Sequence, residues 1–316
     1  MSKKTLLSGV KPTGRPHIGN YFGAMKQFVD LQSEYETYVF IADYHALISV
    51  HDPVALKQDL IDLVIDYLAI GIDPKKVHLF KQSDIVEHTE LAWIFNCITT
   101  MPYLMRAHAY KDAEAKDKEV NVGLFGYPVL MAADILMYDV DTVPVGKDNK
   151  QHLEIAREIA RKFNSTFQPV FKEPAELIME DVAVVPGTDG QKMSKSYGNT
   201  IPLFATDEEI EKAVMSIVTD SGSDIPQNVY AIHKLLKTEE ELAPLYEANK
   251  GKYKALKEAL IEDLKKFIGP MRERREQLAQ DTEYILDILK EGGKRAKAKA
   301  EKKMEQVREA IGVKLY

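Results

Sequence analysis

The chain has 316 residues, a net charge of −7, 45% hydrophobic and 29% charged residues, an ordinary globular composition with room for one or two domains. These figures exclude collagen-like, disordered and disulfide-rich chains, and a single cysteine, Cys97, excludes internal disulfides and cysteine-based zinc or iron–sulfur sites. The longest apolar stretches, such as 60–72, carry charges at Asp62 and Asp66 and fall short of the roughly 18 residues of a membrane span. No signal-peptide pattern is read at the start, so a cytoplasmic protein with no membrane partner is expected.

Thr5–Val10 reads as a strand, followed by a loop at 11–16 with two prolines and a glycine. Tyr21, Phe22, Met25, Phe28 and Val29 then recur at helical spacing. The continuous apolar run 38–42 suits a buried parallel strand. Leu56, Leu60, Leu63, Val64, Tyr67 and Leu68 mark a second helix, stopped by Gly71 and Asp73-Pro74. Further strands are predicted at 77–80, 142–145 and 183–185, with a helix at 151–163. Alternating strands and helices predict an α/β fold, a parallel sheet covered on both faces, with ligands beyond the carboxyl ends of the strands. The loops at 7–20, 43–45, 144–149 and 186–198 should therefore meet at one crevice.

Beyond about residue 200 the pattern is helical, over 207–218, 227–236, 239–249, 253–289 and 294–311. Gly251 and Gly292-Gly293 read as its punctuation. We read a smaller C-terminal helical domain, 201–316, after a sheet domain, 1–200. Residues 292–316 hold eight Lys/Arg and three Glu, a net +5 that leaves −12 on the rest. Such a tail suits contact with a polyanion or the solvated face of an amphipathic helix.

Two loops carry the chemistry. Lys11-Pro12-Thr13-Gly14-Arg15-Pro16-His17-Ile18-Gly19-Asn20 lies between a strand and a helix. Its glycines permit close backbone approach, and the helix start offers N–H groups and a positive dipole end to an anion. His17 and the Asn20 amide can each donate to a phosphate; plain turn chemistry explains the same pattern. Lys192-Met193-Ser194-Lys195-Ser196 is bordered by Gly187, Gly190 and Gly198. Its lysines, at i and i+3, can close on a triphosphate and offset charge built up during displacement, although a solvated turn has the same composition. The P-loop pattern is absent, because Gly146-Lys147 precedes Asp148 and Gly251-Lys252 precedes Tyr253. His45, after the second strand, reads as structural, with a place near the substrate as the alternative; the other histidines show no metal-ligand spacing, and Cys97 reads as buried and inert.

Together the two loops are far more specific than either alone. His17-Ile18-Gly19-Asn20 and Lys192-Met193-Ser194-Lys195-Ser196 resemble the HIGH and KMSKS signatures of class I aminoacyl-tRNA synthetases, and the match narrows to the tryptophanyl-tRNA synthetase family. Supporting segments follow in the family's order at 8–14 (SGVKPTG), 17–24 (HIGNYFGA), 71–74 (GIDP), 131–136 (MAADIL), 143–148 (VPVGKD), 151–154 (QHLE) and 218–221 (VTDS). The last hundred residues match only in length and helical character.

This resemblance implies a Rossmann-like catalytic domain, 1–200, and a helical domain, 201–316, that binds the tRNA anticodon. It implies ATP-dependent activation of L-tryptophan to tryptophanyl-adenylate, then transfer to tRNA(Trp) with release of AMP and pyrophosphate. It also implies a homodimer and Mg2+ carried by ATP. His17, Lys192 and Lys195 would be catalytic. ATP would also meet Lys11, Pro12, Thr13, Gly19, Asn20, Gly146, Lys147, Asp148, Val184, Met193, Ser194 and Ser196. Tryptophan would lie against Tyr127, Met131, Val143, Val145 and Asn149, with its indole N–H donated to Asp134. The chemistry agrees: a lone acid in the apolar run 129–137 needs a donor, and indole offers only a donor.

Three positions depart from the commonest bacterial pattern. Lys11 stands where Gln is frequent, Asn149 where Gln usually contacts the amino acid, and Tyr197-Gly198-Asn199 where Asp-Pro-Asn is frequent. They bear on tryptophan affinity, inhibitor sensitivity and loop mobility. Rival readings are a tyrosyl-tRNA synthetase, a small-molecule nucleotidyltransferase with a similar histidine loop, and a non-catalytic RNA-binding paralogue. The basic stretches at 272–275 and 294–308 suit contact with tRNA or with the sheet domain.

Overall fold

The computed structural model describes residues 3–115, 120–145, 150–178, 185–219 and 224–316. Five parallel strands, β1 (Thr5–Val10), β2 (Glu36–Ile41), β3 (Val77–Lys81), β4 (Thr142–Val145) and β5 (Ala175–Ile178), pair in the order β3-β2-β1-β4-β5. The register of the central pair runs from Thr5 opposite Glu36 to Val10 opposite Ile41. The first four strands fall on the apolar runs of the sequence. The fifth strand expected at 183–185 falls mostly outside the described residues, and the fifth strand of the described sheet is another segment. It is Ala175–Ile178, an edge strand carrying Glu176 beside Lys150, too short and too polar to show as an apolar run. Positions 183 and 184 are outside the described residues, and the Val185 carbonyl accepts from the Met193 N–H.

After β1 come α1 (Ile18–Asn20), a wide π turn over Tyr21–Met25, and α2 (Lys26–Leu31). Between β2 and β3 lie α3 (Asp43–Ala46) and α4 (Pro53–Ala69), the latter capped by Asp52, which accepts from the Val54 and Ala55 N–H groups. From β3 to β4 run α5 (Glu87–Ile98), α6 (Met101–Leu104), α7 (His108–Ala115) and α8 (Val122–Leu136). Helix α9 (Lys150–Thr166) stands between β4 and β5. The rest is helical: α10 (Asp207–Met215), α11 (Gln227–His233), α12 (Glu239–Ala248), α13 (Tyr253–Leu278) and α14 (Thr282–Ala310). This is the Rossmann-like sheet with a helical C-terminal part that the sequence predicts.

Strand β2 shows how the sheet is sandwiched. Val39 and Ile41 face one core with Leu63, Val64 and Tyr67 of α4 and Leu260 and Leu264 of α13. Tyr38 and Phe40 face the other with Leu91 and Phe95 of α5, Val129 and Ala133 of α8 and Phe163 of α9. Period-two alternation between two apolar cores is what buries a parallel strand on both faces.

The C-terminal helices differ from the expectation. No helix runs through 253–289, and Gly292-Gly293 breaks nothing. The break falls at 279–281, where Asp281 caps α14 by accepting from the Tyr284 N–H. Gly292 is instead a crossing point. A Cβ there would stand 1.8 Å from the Leu79 carbonyl oxygen of edge strand β3, so only glycine admits so close an approach. Helix α14 passes over that edge, packing Ile285 and Leu289 into the first core and Ala296, Ala300, Met304 and Val307 into the second. Three of its basic residues face the protein: Arg295 donates to the Pro74 and Val77 carbonyls, Lys303 pairs with Asp139, and Arg308 chelates Glu90. Likewise Arg272 reaches Asp207, and Arg275 reaches Asp62 and Asp66. Of the two partners open to these stretches, the sheet domain takes Arg275, Arg295, Lys303 and Arg308, while Arg272 stays within the helical part.

Candidate active site

The loop after β1 and the loop 185–203 are stitched together by main-chain bonds, Ile18 N–H to the Ile201 carbonyl and Leu203 N–H to the Pro16 carbonyl. Asn199, buried, closes the second loop on itself, accepting from the Ser194 N–H and donating to Asp189 and to the Lys192 carbonyl. Met193 is buried in the core, which turns its lysine neighbours outward. The Lys195 ammonium then donates to the main-chain carbonyls of Thr13 and Gly14 at 2.8 and 3.0 Å. Burial pushes its pKa below the usual lysine value.

His17 is the N-cap of α1. Its Nδ1 accepts from the Asn20 N–H at 3.3 Å, and the Asn20 amide oxygen accepts from the His17 N–H at 3.1 Å. Burial first and the Lys195 charge second hold its pKa down to about 4. At neutral pH the ring is therefore uncharged, with Nδ1 accepting and the proton on Nε2. Gly19 is required here, because a Cβ would meet His17 Nδ1 at 2.9 Å.

Beyond the carboxyl ends of β1, β2 and β4 lies a cavity of about 300 Å³. Tyr127, Met131, Asp134 and Val143, read from the sequence as the tryptophan site, line it together with Lys11, read as an ATP contact, and with Ser8, Gly9, Phe40, His45 and His152. The Lys11 ammonium lies 5.8 Å from the centre of the Tyr127 ring, and burial lowers its pKa. The Tyr127 hydroxyl and His152 Nε2 are 2.6 Å apart.

Asp134 stands 1% exposed on α8. Its Oδ1 accepts from Gln82 Nε2 and His88 Nδ1, and its Oδ2 from His45 Nε2 at 2.8 Å. Burial alone would push the carboxyl up; the rings of His88 and His45 outweigh it and hold the pKa down to about 2. Two oxygens accept about four bonds and three are made, which leaves one acceptor direction on Oδ2 beside the cavity.

The structure thus brings His17, Lys195, Thr13, Gly19, Asn20 and Met193 into one constellation. Lys11, Tyr127, Met131, Asp134 and Val143 meet in the cavity beyond the same strand ends. Pro12 is buried in the first loop, Ser194 and Ser196 pair through their hydroxyls at 2.9 Å, and Lys192 lies beside Met193. Gly146, Lys147, Asp148, Asn149 and Val184 lie outside the described residues, and of Val145 only the backbone is described. Two expectations are corrected. His45 is buried but lines the cavity and holds Asp134. Cys97 is exposed, because it falls on the outer side of α5 one turn after Trp93. Gln82 and His88 went unread: they stand 52 and 46 residues from Asp134 in sequence, and no spacing rule joins them.

The family model of class I tRNA synthetases for tryptophan and tyrosine matches residues 2–304. The chain belongs to that family. Within it, the chain stands with the tryptophan--tRNA ligases. It is 49% identical to the enzyme of that name from Fusobacterium nucleatum, over 98% of both chains. It is 44% identical to that of Rhodopirellula baltica, over 98% of this chain and 99% of the relative. The crystal structure of the Campylobacter jejuni tryptophanyl-tRNA synthetase complexed with ADP and tryptophan superposes with a TM-score of 0.91, at 42% identity over 98% of this chain and 99% of that one. The chain is therefore an aminoacyl-tRNA ligase of the ATP-dependent class I type, and the tyrosyl and nucleotidyltransferase readings give way.

Proposed function

We propose that the cavity takes the side chain of L-tryptophan, with the indole N–H donated to Asp134 Oδ2, and that ATP lies across the two stitched loops. The observation that carries this reading is the buried, ionised Asp134 with one acceptor direction left at an otherwise largely apolar cavity. A ring with an N–H satisfies it; a phenyl ring leaves a desolvated acceptor unpaired, which costs about 1–3 kcal/mol or more. The tryptophan carboxylate attacks the α-phosphorus in line, forming the P–O bond of tryptophanyl-adenylate as the bond to pyrophosphate breaks. A terminal ribose hydroxyl of tRNA(Trp) then attacks the acyl carbon, releasing AMP. No side chain becomes covalently attached, so catalysis is positioning plus charge stabilisation.

In this reading His17 Nε2–H, Lys192 and Lys195 meet the phosphates, and Lys11, Pro12, Thr13, Gly19, Asn20, Met193, Ser194 and Ser196 shape the nucleotide site. Gly146, Lys147, Asp148 and Val184 complete it, and Val145 and Asn149 complete the tryptophan site. Mg2+ arrives on ATP in this reading. It would neutralise pyrophosphate oxygens. The helical part, 201–316, takes the anticodon end of tRNA.

A second copy of the chain is the partner for the outer side of α5. Trp93 on α5 is 70% exposed, with Val86 at the cap before α5 56% and Met101 at the start of α6 65% exposed, exposed apolar side chains of the kind that mark an interface. Among the described residues no helix is long and apolar enough to cross a membrane; with ATP and tRNA as its substrates, the chain in this reading works in the cytoplasm. Amino-acid-dependent exchange of labelled pyrophosphate into ATP tests the reading: exchange with tryptophan and charging of tRNA(Trp) support it, and exchange driven by tyrosine instead contradicts it.

A further inference from the structure

We infer that His88 is a positioning residue for ring recognition: it fixes Asp134 so that Oδ2, and not Oδ1, is presented to the amino-acid side chain. This rests on the reading that Asp134 receives the indole N–H. His88 is fully buried and does not line the cavity. Its Nδ1 lies 2.5 Å from Asp134 Oδ1 and its Nε2 2.7 Å from the Tyr138 hydroxyl. A carboxylate only accepts, so Nδ1 carries the proton in the first bond. Nε2 is held in turn by the Tyr138 hydroxyl, which burial keeps a phenol.

His88 is thus held at both ring nitrogens, Nδ1 donating to Asp134 Oδ1 and Nε2 bonded to the Tyr138 hydroxyl. The rings of Phe40, Phe80 and Tyr138 surround the imidazole with centroids 5.6–6.4 Å away, which leaves it little room to turn. With Gln82 also on Oδ1, that oxygen is saturated on the side away from the cavity, and the carboxylate cannot rotate without losing two buried bonds. Selectivity for an N–H-bearing ring therefore depends on a residue that never touches the substrate.

The test compares kcat/KM in pyrophosphate exchange for tryptophan and for 3-(3-benzothienyl)alanine, which has sulfur in place of the N–H. A merely structural role changes both alike and leaves their ratio unmoved. His88→Leu should lower the ratio at least about tenfold, and His88→Asn, whose Nδ2 takes the place of Nδ1, should stay within about threefold of wild type. An unchanged ratio in His88→Leu overturns the inference. Asp134→Asn separates the two layers: if it leaves the ratio unchanged, the reading of Asp134 fails; if it collapses the ratio while His88→Leu does not, this inference alone fails. Should His88→Leu not fold, His88→Gln, which offers its amide at the Nε2 position instead, replaces it. A ratio about tenfold lower than in His88→Asn is then expected, and equal ratios overturn the inference.

Discussion

Lys195 Nζ and the Thr13 carbonyl, 182 residues apart in sequence, lie 2.8 Å from each other. The bond joins two loops that each look like ordinary turns, and it places a cation beside the His17 ring. Lys195→Ala should lower kcat for tryptophan-dependent exchange by about 10²–10³ and move the tryptophan KM less than about threefold. Steady-state kinetics with both substrates varied checks this; a raised KM at unchanged kcat assigns the lysine to ground-state binding.

His17 ties that site to pH. Its folded pKa, about 4, lies below the ordinary 6.5 because of burial and then Lys195. Between those values the unfolded chain binds a proton that the folded chain refuses, so this contribution to stability is whole above pH 6.5 and is lost as pH falls toward 4. In thermal melts from pH 7 to pH 4, His17→Asn should lose less stability than wild type. Parallel losses would mean that the ring is not held neutral.

Gly292 and Gly293 give a paired test of the α14 crossing. A Cβ on Gly292 meets the Leu79 carbonyl at 1.8 Å, whereas on Gly293 the nearest atoms are those of Asp84 at 3.9 Å. Gly292→Ala should cost about 3 kcal/mol through forced backbone movement, and Gly293→Ala should be neutral or stabilise by up to about 1 kcal/mol through helix propensity. Urea titrations that rank the two the other way would contradict the packing of α14 on β3.

Trp93 is the chain's one tryptophan, so intrinsic fluorescence reports the outer side of α5 alone. If two copies meet there, emission shifts to the red on dilution, and Trp93→Asp sediments as a monomer. Emission independent of concentration, with a Trp93→Asp protein of unchanged mass, would place the interface elsewhere.

How far the sequence carried the reading depends on what each residue touches. Strands β1 to β4 showed because both faces are buried and the runs are apolar. Strand β5 did not, since an edge strand tolerates Glu176. The crossover helices α5 to α8 went unread as elements; α8 alone carries Gly123, Gly126 and Pro128, which blur helical periodicity. The α13–α14 break hid because glycine reads as punctuation, while here it serves close approach and a single Asp281 cap makes the turn. At the site, Asp134 was legible as a lone acid in an apolar run. His45, Gln82 and His88 were not, because only the fold brings three distant donors onto one carboxylate.

The most direct measurement is pyrophosphate exchange by the Asp134→Ala protein beside wild type, with tryptophan as the amino acid. We predict a loss of kcat/KM of at least about 10², with the KM for ATP within a few-fold of normal. A folded variant that uses tryptophan as well as the wild-type chain does would contradict the assignment of the cavity.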